Sequence, residues 1–112
     1  MDERERLALE EMRRSAGRAM EWAAEAGADW TSDEKTVAAV AHAVAQVGER
    51  ARSISRRTRA DHPAIPWAAI IGMRDRIYHD YGRVDPAVLG DTVRRDLREL
   101  DRQISAILGI AP

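Results

Sequence analysis

Apolar residues recur along this chain at steps of three and four, the spacing that lays them on one face of an α-helix. In residues 2 to 26 the series Leu7, Met12, Ala16, Met20 and Ala23 predicts a first helix. Gly27 follows as its stop, where a left-handed backbone costs least. Thr31 and Glu34 have the spacing of a capping box, so a second helix is expected from about Ser32. Val37, Val40, Ala41, Val44, Val47, Ala51 and Ile54 carry its stripe on toward Arg59. His62 to Ile65 reads as a tight connection, because a residue before a proline is pushed away from helical angles. Pro66 then opens a third helix. It holds Trp67, Ile70, Ile71, Met73 and Ile77 and stops near Asp80, before Gly82. Asp85 and Pro86 are cap and first residue of a fourth helix. Its stripe runs through Val88, Leu89, Val93, Leu97, Leu100, Ile104 and Ile107 to Gly109.

No stretch alternates as a strand would, and no repeat is visible. The expectation is an all-α fold: one domain over residues 1–112, four helices running up and down, antiparallel neighbours joined by short turns. Trp22 and Trp30 are read as core or edge anchors. Gly48 would let another helix approach the second one closely. Glu49 has two available partners: an arginine of the third helix, or the local Arg52 or Arg56.

Composition refines this picture in three ways. Much of the 45% hydrophobic content is alanine, which buries little area. A modestly stable monomer that gains from pairing with a second copy is therefore expected. The net charge of −1 gives no global attraction to nucleic acid, but its distribution is uneven. Between residues 50 and 76 seven arginines face only Asp61 and Asp75. Arg52, Arg56 and Arg76 in that run are candidates for contact with a phosphate backbone; a solvated charged face is the plainer alternative. With no cysteine and three scattered histidines, neither a disulfide nor a metal site is expected. The charged start from Asp2 does not match a secretion signal. No apolar run reaches the ~18 residues of a membrane span. A cytoplasmic protein with no membrane contact is the expectation.

The chemistry is concentrated in Arg74-Asp75-Arg76-Ile77-Tyr78-His79-Asp80-Tyr81. Histidine titrates near neutral pH and can move protons. Arginine stays charged and holds phosphate oxygens in a planar fork. On a regular helix Arg74 and His79, five apart, would point roughly 140° from each other. Either the helix loosens before Gly82 or the site draws on two chains. Asp75 and His79, four apart, can face each other, and Asp75 could then fix the imidazole tautomer. Spacing alone is equally met by ordinary pairs, Asp75–His79 and Arg76–Asp80, on a solvated helix face.

The form Arg-x4-His-x-Tyr resembles the signature of HEPN-type ribonucleases, in particular the HepT toxins of HepT/MntA-type toxin–antitoxin pairs. The similarity extends to His62-Pro63-Ala64-Ile65-Pro66-Trp67, to Ile71-Gly72-Met73-Arg74-Asp75 and to Val47-Gly48-Glu49. It continues in Tyr81-Gly82 with Val84-Asp85, and in Asp96-Leu97 with Leu100. Where this chain has Asp75 the family often has asparagine. The resemblance implies a helical HEPN bundle that forms a homodimer, with two motifs facing one another across a shared cleft. It implies an endoribonuclease that needs no metal or other cofactor and acts on an RNA such as tRNA or mRNA. Arg74 and His79 would be its catalytic residues and Asp75 a supporting one. It also implies a partner, a minimal nucleotidyltransferase antitoxin that transfers AMP onto Tyr81. The alternative is a HEPN module that binds the nucleotidyltransferase, or a nucleotide, without cutting.

Overall fold

A computed structural model describes all 112 residues, the Asp80 side chain excepted. The fold is all-α. Its helical segments are α1 (Glu3–Ala26), α2 (Glu34–Ala51), α3 (Arg56–Asp61), α4 (Trp67–Ile71), α5 (Met73–Ile77), α6 (Pro86–Arg95) and α7 (Leu97–Leu108). Four stems remain recognisable: α1, α2, the kinked pair α4–α5 and the kinked pair α6–α7. The expected helices are thus present, but three of the four are broken.

α1 begins with a complete capping box. The Asp2 carboxylate accepts the Glu5 N–H at 2.9 Å, and the Glu5 carboxylate accepts the Asp2 N–H at 3.3 Å. The box expected at Thr31 and Glu34 is not formed. Thr31 lies in a short 3-10 turn, Trp30–Ser32, and Asp33 is the residue that precedes α2. The inward face of α1 also differs from expectation. Leu7 is 52% exposed, and the buried stripe is Ala8, Leu9, Met12, Ala16, Ala19 and Ala23. The buried series keeps the same helical period but starts one residue later, so Leu7 falls on the solvent side.

The second helix stops at Ala51 rather than near Arg59. Ile54 stays in the core at 2% exposure, but the chain turns around it and Ser55 caps a separate α3, its hydroxyl accepting the Thr58 N–H. Side chains satisfy the backbone groups freed by this break. The Glu5 carboxylate accepts the Ser55 N–H at 2.7 Å. Arg59 donates to the carbonyls of Ile54 at 2.9 Å and Ala51 at 3.2 Å. Arg59 therefore serves the end of α2 and is not one of the free surface arginines. Glu49 meets Arg52 at 3.5 Å, the local pairing of the two that its position allowed.

The core is one cluster built from all four stems, centred on Leu9, Met12, Val40, Val44, Val47, Ile70, Ile77, Leu89, Leu97 and Ile104. Each such side chain contributes about 1.5–3 kcal/mol through burial. Trp30 and Trp67 are buried and Trp22 packs at the edge. The Trp67 indole N–H donates to the His62 carbonyl at 3.1 Å, which fixes the tight connection before α4. At Gly48 the backbone of α4 approaches α2 closely. A Cβ built there would stand 2.7 Å from the Ile70 carbonyl oxygen. From this point α4–α5 runs back along α2 toward its N-terminal half. No helix among the described residues is long and apolar enough to cross a membrane.

Candidate functional site

The third stem kinks at Gly72 (φ −81°, ψ 0°) and ends at Ile77, three residues before the expected stop. Ile77 is fully buried and anchors that end. Tyr78 is already extended, and the chain turns back on itself so that Tyr78 pairs with Val84 in an antiparallel bridge. The reversal uses two consecutive residues with left-handed backbone, Tyr81 at φ 61° and Gly82 at φ 74°. Glycine takes that conformation freely, whereas tyrosine takes it at a steric cost. The loop is held by its backbone. The His79 N–H donates to the Arg83 carbonyl at 2.6 Å, the Gly82 N–H to the His79 carbonyl at 3.1 Å, and the Asp85 N–H to the Ile77 carbonyl at 2.8 Å.

His79 is therefore on a hairpin and not on a helix, and the geometry of a regular helix does not govern its relation to Arg74. The helix does loosen before Gly82, one of the two arrangements open to the sequence. The pairing of His79 also departs from expectation. The helix ends between Asp75 and His79, so their i,i+4 contact does not form. Asp75 instead lies 4.0 Å from Arg74 on an open surface. The carboxylate that meets His79 belongs to Asp85, with Nε2 and Oδ2 3.1 Å apart.

Asp85 serves two elements at once. Its Oδ1 accepts the N–H groups of Ala87 at 3.0 Å and Val88 at 3.2 Å, capping α6. Its Oδ2 faces the imidazole. The Val88 N–H above all, with His79 and the Ala87 N–H, holds the Asp85 carboxyl below its ordinary value, so it remains an anion. Sequence reasoning recognised Gly82 as a break and Asp85 as a cap but did not join them. A turn centred on 81 and 82 folds 79 onto 85, and that was the available signal.

The arginines divide. The Arg74 guanidinium carbon sits 5.3 Å over the Tyr78 ring, a cation–π contact that orients it while the side chain stays 63% exposed. Arg76 points the other way, 3.8 Å from Asp96 at the α6–α7 break. The Arg76–Asp80 pair suggested by spacing falls outside the described side chains. Arg76 also borders a groove of about 360 Å³ floored by Ile70, Met73 and Leu100. Arg52 and Arg56 are exposed but lie near the C-terminal end of α2. The hairpin lies near the other end, where Arg83, Val84 and Pro86 share a shallow hollow with Thr31, Val37 and Ala38. The separation along α2 is about 20 Å, so the single chain does not bring Arg52 and Arg56 to His79. Tyr81 is fully exposed at the tip of the hairpin. No group of three His, Asp or Glu side chains placed to hold a metal ion occurs among the described residues.

A histidine backed by a carboxylate, an oriented arginine and an exposed tyrosine thus share one short, surface-held segment. Such a set can exchange a proton and hold an anionic phosphate. Comparison with known proteins places the chain in a family. A protein of Thermococcus cleftensis named "Probable ribonuclease HepT" is 39% identical over 72 residues, 64% of this chain and 66% of that protein. A protein of Caldanaerobacter subterraneus subsp. tengcongensis, provisionally named an RNase, is 29% identical over 80 residues, 71% of each chain. One from Methanocaldococcus jannaschii, also provisionally named an RNase, is 29% identical over 70 residues, 62% of this chain and 58% of that protein. The matches therefore span roughly three fifths to seven tenths of these relatives' lengths. No solved structure matches the chain. The family model described as "Ribonuclease HepT-like" matches residues 7–107, and the chain belongs to that family.

Proposed function

We propose that this protein is a metal-independent endoribonuclease and the toxin of a two-gene module of the HepT/MntA type. The observation that carries the reading is the hairpin of residues 78–85, which presents His79 backed by the Asp85 carboxylate, directly after the helix that carries Arg74 stacked on Tyr78. His79 takes the proton of a ribose 2′-OH as that oxygen attacks the adjacent phosphorus. The 5′-oxygen leaves with a proton from His79 of a second copy, across a shared dimer cleft. Arg74 binds the phosphate oxygens and stabilises the charge that builds on them. The products are a 2′,3′-cyclic phosphate and a 5′-hydroxyl. Arg76 is the nearer candidate for a further backbone contact. Arg52 and Arg56 would be reached only by an RNA running most of the length of α2, or by one bound across two copies. The chain acts in the cytoplasm.

Tyr81 is the site at which a minimal nucleotidyltransferase partner would silence the enzyme. Full exposure suits an acceptor hydroxyl. AMP there would set bulk and a negative phosphate two residues from His79, competing for the same arginine.

The test is a cleavage assay on total tRNA in the presence of EDTA, comparing wild type with His79→Ala. The protein is produced without its neighbouring gene, and its intact mass is checked for an added AMP. Cleavage by wild type and a loss of at least about 100-fold in the variant is the expected result. Intact RNA after incubation with unmodified wild-type dimer overturns the reading, and a module that binds the nucleotidyltransferase without cutting takes its place.

A further inference from the structure

We propose that Asp85 is the positioning residue of the site. It fixes His79 as the Nε2–H tautomer and so makes Nδ1 the nitrogen that exchanges protons with substrate. The assignment rests on the ribonuclease reading for its catalytic consequence, but not for the tautomer itself.

The geometry supplies each step. The Asp85 carboxylate is immobilised by two N–H groups at the start of α6, at 3.0 and 3.2 Å from Oδ1. Only Oδ2 is turned to the ring, 3.1 Å from Nε2. A carboxylate in this state only accepts hydrogen bonds, so the neutral ring must place its proton on Nε2. Nδ1 is left with its lone pair available. The backbone of His79 is meanwhile fixed from both sides, by the Arg83 carbonyl and the Gly82 N–H. Ring and carboxylate therefore keep their relation although His79 is 57% exposed. In the charged ring the same contact remains, and Nδ1–H is the proton free to leave. Sequence spacing had pointed to Asp75 for this role, but Asp75 lies on the far side of the helix end and contacts Arg74 instead.

Asp85→Asn separates capping from positioning. Asparagine caps as well as aspartate does, and its carbonyl oxygen would stay on the two α6 amides. Its NH2 group then faces the ring and donates to Nε2, which moves the neutral ring's proton to Nδ1. Nitrogen-15 spectra of histidine-labelled protein, recorded above neutral pH and with His79→Ala identifying the signal, read the tautomer directly. The expected result is Nε2–H in wild type and Nδ1–H in Asp85→Asn, with the melting temperature kept. Turnover on RNA should fall about 100-fold with KM little changed. Asp85→Ala should lose both melting temperature and turnover. An unchanged His79 tautomer in Asp85→Asn overturns the proposal, as does full activity in that variant, the outcome of a purely capping role. Because the spectrum does not depend on cleavage, a wild type that cuts no RNA defeats the ribonuclease reading while the tautomer still decides the role of Asp85.

Discussion

Replacing Gly48 with alanine tests how the motif-bearing stem is seated. In the middle of a helix this change normally stabilises, by up to about 1 kcal/mol, because alanine loses less conformational freedom than glycine. At Gly48 the added methyl would stand 2.7 Å from the Ile70 carbonyl oxygen and 3.4 Å from that of Ile71. Both are backbone atoms, so no side chain can rotate away, and α4 must shift off α2. Overpacking of this kind costs about 1–3 kcal/mol. Set against the propensity gain, the net expectation is a loss of about 1–2 kcal/mol. For a chain of this size that is a fall in melting temperature of roughly 5–10 °C. Gly17→Ala is the matched control. It lies inside α1 with nothing within 4 Å of a built Cβ, so it should gain up to about 1 kcal/mol. Thermal and urea unfolding followed by circular dichroism, at equal protein concentrations, measures both. The two substitutions should move stability in opposite directions. If Gly48→Ala melts at or above wild type, the close contact between α2 and α4 does not exist as described.

Two further changes probe the core and the acid response. The Ser105 hydroxyl is fully buried in α7 and meets no hydrogen-bond partner among the described residues. Ser105→Ala should therefore raise stability by about 1 kcal/mol, and an unchanged or lower urea midpoint would show that the hydroxyl is satisfied in solution. Hydrogen bonds from Ser55, with a smaller one from Asp2, lower the Glu5 carboxyl from 4.5 to about 2. A depressed carboxyl stabilises the fold above its unfolded value and ceases to do so as pH falls through its folded value. The stability gap between wild type and Glu5→Gln should be full above about pH 4.5 and shrink steadily toward pH 2. A gap that does not vary over that window refutes the linkage.

The order and number of stems were legible because helix periodicity and punctuation by glycine, proline and aspartate are local signals. So were the stops at Gly27 and Gly109 and the cap at Asp85. The breaks were not. Nothing in the run through Ile54 marks an end, since apolar periodicity continues across it. The end there is made by Glu5 and Arg59, one of them fifty residues away in sequence from the N–H it accepts. Leu7 misled for a related reason: several apolar residues near a terminus allow two phases of one stripe, and only the neighbouring helix selects between them. At the candidate site, the sequence singles out Arg74, His79 and Tyr81 by residue type, but not the carboxylate that meets His79. Spacing offers Asp75 one helical turn away, whereas a left-handed turn at Tyr81 and Gly82 brings Asp85 to His79 across a hairpin.

The third stem consists of two five-residue helices and is followed by an eight-residue hairpin, none of them long enough to hold its shape alone in water. Their form comes from Ile70, Met73 and Ile77 seated in the core and from the α6 amides that grip Asp85. The motif is for this reason not portable. A peptide covering residues 66–88 would carry every candidate side chain in the right order and none of the arrangement.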